Sequence, residues 1–160
     1  MAVTKDVKIV QFGTSTGHQP TYQPVTAAAS LYAGTVAMTH LGLLANPDVA
    51  IDPADIVWGI INGIVDSNPA VSSPIVGAAS NVTVAGISTG TFYLTPGTAG
   101  DALVQADVGA VVYLKDAITV TKTDGGGLRP VAGVLTSIGV AQYAGYVAVT
   151  LGSNQTSGAV

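Results

Sequence analysis

The chain has 160 residues, no cysteine, nine Asp, no Glu and five Lys or Arg, for a net charge of −4. Missing thiols exclude disulfides and thiolate metal sites, and so few bases argue against direct nucleic-acid binding, which needs clustered Lys and Arg. At 48% hydrophobic residues the chain can bury a core without staples, and Val, Ala, Ile, Leu and Thr with 20 Gly make a β-favouring mixture rather than a disordered or helical one.

In chain order, MAVTKD opens the sequence with no long apolar run behind a basic start, so no signal peptide is expected. Residues 7–12 read as a short strand. Residues 13–24, GTSTGHQPTYQP, are polar, carry two prolines and show no hydrophobic period, which reads as an extended arm. Residues 25–30, 33–39 and 41–45 are β-like, and Asn46-Pro47-Asp48 closes them with turn chemistry. Gly34, Thr35, Thr39, His40 and Gly42 interrupt the least polar stretch, residues 27–45, and speak against a membrane span. Asp52-Pro53 can open a short helix, with Asp52 as cap and Pro53 at the first helical position.

Residues 56–65, IVWGIINGIV, are apolar on both alternating faces. Strict alternation puts Val57, Ile61 and Val65 on one face and Trp58, Ile60 and Ile64 on the other. The second face must meet another sheet layer or another subunit, so Trp58, Ile60 and Ile64 are the candidate subunit-interface residues. Residues 66–80 read as a Pro/Ser/Asn-rich connection. Residues 81–87 and 90–95 are strands, ended by Pro96-Gly97, and residues 98–109 are mixed. Strands follow at 110–114, 118–123, 131–138 and 143–151, with Asp124-Gly125-Gly126-Gly127 as a tight reversal tolerant of positive φ.

Eight to ten short strands at spacings near ten residues define an all-β chain, a small antiparallel β-barrel or β-sandwich. The expected organisation is an extended N-terminal arm (1–24), one β domain (25–152) and a polar C-terminal tail (153–160). No internal repeat stands out.

Catalytic and cofactor signatures are sparse. His18 and His40 have no second histidine at a metal-ligand spacing. Asp48, Asp52 and Asp55 match no calcium loop, and their prolines favour turn and cap roles. The DGGGLR run at 124–129 precedes Pro130 and a strand, not the helix a phosphate loop requires. No Gly-x-Ser-x-Gly elbow occurs. The expectation is a non-enzyme with no catalytic residue, cofactor or metal site.

The C-terminal half carries a family resemblance. ADVGAVVYL (106–114), the following Lys115-Asp116, the strand at 118–121, PVAGVL (130–135) and the closing YVAVTL (146–151) resemble tailed-bacteriophage capsid decoration proteins, the structural cement of the virion. VTAAA (25–29) and YAGTV (32–36) resemble the opening of that family. The chain departs from the pattern in residues 46–55 and in its arm. The resemblance implies a β-barrel-like subunit, a homotrimer, bound to the major capsid protein on the outer surface of the icosahedral head after synthesis in the host cytoplasm. There it would clamp capsomers and serve head stabilisation. It implies no nucleic-acid or membrane partner. On this reading the arm residues Val7, Ile9, Phe12, His18 and Tyr22 are the capsid-contact candidates. The alternatives are another virion part (head fibre base, tail tube or baseplate) or a carbohydrate-binding adhesin module.

Overall fold

The computed structural model describes residues 11–12, 21–66, 68–71 and 74–152. Fourteen strands run through them, with four 3-10 turns and no α-helix. The first nine strands are β1 (Gln11–Phe12), β2 (Thr21–Pro24), β3 (Ser30–Leu31), β4 (Val36–His40), β5 (Leu43–Ala45), β6 (Ile56–Val65), β7 (Asn68–Val71), β8 (Ile75–Val76) and β9 (Val84–Ser88). The last five are β10 (Thr91–Pro96), β11 (Val111–Leu114), β12 (Thr119–Thr121), β13 (Val131–Ile138) and β14 (Val147–Leu151). The chain is all-β, as its composition and strand spacing predict.

The strands form two small barrels. The C-terminal one runs β10-β14-β13-β11-β12 and returns to β10, with the closing β10–β12 pair parallel and the rest antiparallel. The N-terminal one runs β2-β9-β6-β4-β5 and closes at a parallel bridge between Val25 and Leu44. Numbering the strands within each barrel, both follow the order first, fifth, fourth, second, third, then back to the first. Closure removes the open sheet edges that invite aggregation. Outside the barrels, β3 pairs with β8, β7 adds to β6, and β1 lies antiparallel on β10.

The correspondence extends to single hydrogen bonds. Gly34 N–H donates to Ile61 O (2.8 Å), and Ile61 N–H donates to Thr35 O (2.9 Å). In the second barrel Gly109 N–H donates to Leu135 O (2.8 Å), and Leu135 N–H to Ala110 O (2.9 Å). Gly34 and Gly109 have φ of 87° and 92°, a region closed to most side chains. A bulge falls between Ala37 and Met38 in one barrel and between Val112 and Tyr113 in the other. A tight approach is shared too: a Cβ on Gly59 would lie 2.2 Å from Ser88 O, and one on Gly133 would lie 1.9 Å from Thr150 O.

Two cores result. Val25, Leu31, Ala37, Leu44, Ile61, Ile75, Ala85 and Ile87 fill the N-terminal barrel. The other cluster holds the inward residues of the C-terminal barrel, Phe92, Leu94, Val112, Leu114, Val120, Leu135, Val147, Val149 and Leu151 among them. It also includes Val36, Met38, Val57 and Ile60 from β4 and β6. Those four are 0–2% exposed. Burying such side chains is worth about 1.5–3 kcal/mol each, so the two barrels share a core rather than a polar domain contact.

Five sequence expectations change here. The second face of β6 does meet another layer, but the layer is the chain's own C-terminal barrel, so Ile60 is not free for a neighbouring subunit. The strict alternation fails because Trp58 is the extra residue of the bulge: Val57 pairs with Met38 and Gly59 with Ala37. Val57 and Ile60 therefore share one face, while Trp58 packs against the N-terminal core. The expected arm is shorter than residues 1–24, because Thr21–Pro24 is a barrel strand and Tyr22 pairs with Gly86. The expected helix at Asp52 is a turn, with Ala54 N–H on the Asp52 carboxylate and Asp55 N–H on the Asp52 carbonyl. Within the 66–80 connection lie β7 and β8.

Candidate functional site

The turn between β4 and β5 and the segment after β5 carry the two most exposed large hydrophobic side chains among the described residues. Leu41 is 91% exposed and Val49 82% exposed. His40 sits between two open grooves. One, of about 480 Å³, is lined by Gln23, Leu41, Asp52, Asp55, Ile56 and Trp58 as well as His40. The other, of about 380 Å³, is lined by Ala27, Ala28, Ala29, Asn46, Val49 and Ala50 beside the same histidine, and no carboxylate, lysine or arginine lines it.

The first groove is braced by polar bonds. His40 Nδ1 lies 2.7 Å from Asp55 Oδ1, and the Asp55 side chain is 3% exposed. The other Asp55 oxygen accepts the Asp52 N–H at 2.7 Å. Trp58 Nε1 donates to the Thr39 hydroxyl at 2.9 Å, which in turn donates to Ile56 O. These bonds turn the Asp55, Thr39 and Trp58 side chains toward one another's neighbours and fix the end of β4 against β6. The same holds for the remaining aspartates considered as calcium ligands. Asp48 accepts the Ala117 N–H at 3.1 Å, and Asp52 caps its own turn. Among the described residues no three His, Cys, Asp or Glu side chains are placed to hold a metal ion.

The second groove is built by backbone geometry. Ala28 takes a positive φ of 62°. Its N–H donates to Gly77 O and the Ala29 N–H to Thr26 O. Asn46 crosses below, donating its side-chain amide to Ser30 O at 3.0 Å. The result is a trough of small aliphatic side chains, with Thr26, Ser30, His40 and Asn46 among them and the exposed Val49 in its lining. Sequence reasoning missed it. The residues 25–30 read as a plain strand, and only the run of small residues marks a surface that a partner can approach closely.

The candidates named from sequence scatter. Val7, Ile9 and His18 lie outside the described residues. Phe12 belongs to β1 on the C-terminal barrel and Tyr22 to β2 on the N-terminal one. Trp58 lines the first groove, Ile60 is buried between barrels, and Ile64 is half-buried, its N–H on the Asn62 side chain at 3.0 Å. No family model, no curated protein and no solved structure matches the chain.

Proposed function

We propose that this chain is a bacteriophage capsid decoration protein that binds the outer surface of the icosahedral head and ties capsomers together. The observation that carries the reading is the groove at Ala27–Ala29 and Val49, lined by no Lys, Arg, Asp or Glu, on a closed, all-β scaffold. A trough of that chemistry takes an aliphatic side chain or an extended segment of a neighbouring protein. Without a lysine or arginine in its lining it is a poor site for a phosphate. Sparse charge elsewhere suits a subunit that spends its surface on contacts, and an acidic balance suits a shell exterior rather than its DNA-facing side. The segments that resemble decoration proteins, residues 106–114, 118–121, 130–135 and 146–151, supply four of the five strands of the C-terminal barrel.

The test is direct binding of the purified chain to heads that lack it, read by co-sedimentation. Val49→Asp should lower occupancy at least tenfold while leaving the thermal unfolding curve in place, because the side chain is 82% exposed. Wild-type chain that fails to sediment with heads would end the reading.

A further inference from the structure

The repeated topology gives the two barrels equivalent outer faces. In the N-terminal barrel the outward face of β4 and β6 consists of the pairs Val36–Ile60 and Met38–Val57. The corresponding pairs in the C-terminal barrel are Val111–Val134 and Tyr113–Val131, on either side of the corresponding bulge. The first face is 0–2% exposed because the C-terminal barrel covers it. The second is also apolar, yet Val111 is 39% exposed and its three neighbours are only half-buried.

The contact that covers the first face has a defined shape. The turn between β11 and β12 docks beside it: Val36 N–H donates to Ala117 O at 2.8 Å, and Ala117 N–H donates to the Asp48 carboxylate at 3.1 Å. Val36 is reachable because β5 runs only along residues 38–40 of β4. In the same way β12 runs only along Tyr113 and Leu114, leaving the edge at Val111 open. Asp48 lies three residues beyond β5, and Asp124 lies three beyond β12, exposed. The counterpart of the docking turn is the β4–β5 turn, and its tip is Leu41, 91% exposed at a φ of 52°. A left-handed backbone favours Gly or Asn and strains other residues. A leucine held there, in solvent, fits a residue whose side chain is meant to be covered.

We propose that the face formed by Val111, Tyr113, Val131 and Val134 docks a second copy of this chain, which inserts its Leu41 turn as the Ala117 turn docks within one chain. The contact then has Val111 N–H donating to the partner turn and Asp124 accepting from it. It joins two different surfaces, so each copy offers one donor turn and one acceptor face, and the contact is heterologous. It names the self-contact of the shell-protein reading above, and capsid binding is scored apart from it.

The experiment uses the full chain and two variants, Leu41→Asp and Val111→Asp, both at exposed positions, in sedimentation velocity over a range of protein concentration. Wild-type chain should sediment as a concentration-dependent oligomer, and each variant alone as a monomer with an unchanged unfolding curve. Mixed in equal amounts, the two should form a dimer and nothing larger, because one retains the turn and the other the face. A wild-type chain that stays monomeric at high micromolar concentration overturns the proposal, as does an oligomer indifferent to both substitutions or a mixture that stays monomeric. Binding of the same proteins to heads is read separately. Variants that sediment with heads but not with each other leave the capsid reading standing. Self-association without head binding removes that reading and leaves the contact.

Discussion

At Gly133 a single hydrogen atom stands where any other residue would put carbon. Its would-be Cβ lies 1.9 Å from a backbone oxygen of β14, and backbone, unlike a side-chain tip, cannot swing aside. Gly133→Ala must push β13 off β14 in the middle of the barrel. We expect a loss of about 1–3 kcal/mol or more, and the same for Gly59→Ala, where the approach to β9 is 2.2 Å. Urea denaturation of the two variants checks this, and Gly126→Ala serves as the comparison: no atom lies within 4 Å of its would-be Cβ, so strain from its φ of 77° acts alone. Both close glycines were visible in the sequence. Their role was not, because a glycine inside a strand pattern signals a close approach without saying which strand approaches.

Among the elements, the C-terminal barrel is tied at one end by a charge cluster. Arg129 Nη1 donates to Asp101 Oδ2 at 3.0 Å, to the Thr121 hydroxyl at 3.1 Å and to Thr123 O at 3.2 Å. The Thr123 hydroxyl donates to the other Asp101 oxygen. The Thr123 hydrogen bond is the largest influence on the Asp101 carboxyl; burial opposes it, and the hydrogen bond and charge of Arg129 with the charge of Lys115 add to it, so the carboxyl lies below its ordinary value of 3.8. A native carboxyl with a lowered pKa binds its proton less readily than the unfolded one. Its contribution is present at neutral pH and is lost as pH falls past 3.8 toward the lowered native value. Asp101→Asn should therefore lower the melting temperature at neutral pH, with the gap to wild type closing in acid. Melting curves across that range read it out. The element boundaries were largely legible where turn chemistry marks them: Pro96-Gly97, Asp124-Gly125-Gly126-Gly127 and the strand of residues 131–138. They were not legible at β6. The bulge at Trp58 shifts the phase of alternation by one, and no local signal announces it. Tyr22 was misread for a related reason. A strand at a barrel's seam needs no apolar alternation of its own, and Thr21–Pro24 is half-buried throughout.

For the whole molecule, the decisive feature is that one barrel's outer face completes the other's core. Ile60 is 2% exposed between them, and Ile60→Ala should cost about 2–5 kcal/mol. The loss should appear as one cooperative transition shifted as a unit, since neither barrel keeps its packing without the other. Calorimetry showing two separate transitions would contradict a shared core. The repeat itself left almost no trace in the residues. Barrel topology is written in hydrogen-bond register, and many side chains satisfy the same register. What survives at matching places is Gly34 with Gly109, Gly59 with Gly133, and Ala28 with Ala99, both at positive φ. The groove at Val49 was illegible for another reason: it is formed by residues 20 positions apart in the chain, and its chemistry is an absence of charge rather than a motif.

The order of the barrels along the chain also sets an order in time. The N-terminal barrel is complete at Ser88, whereas the last strand of its partner ends at Leu151. At about 5–20 residues per second, a ribosome needs roughly 3–13 s to make the difference. Throughout that interval Val36, Met38, Val57 and Ile60 have no partner surface from their own chain, so whatever barrel structure the first half forms is incomplete. Any C-terminal barrel can then cover these side chains, including one from an adjacent nascent chain on the same message. The two residues linking β9 to β10 decide the competition, because so short a tether keeps the chain's own second barrel at a far higher local concentration than any neighbour's.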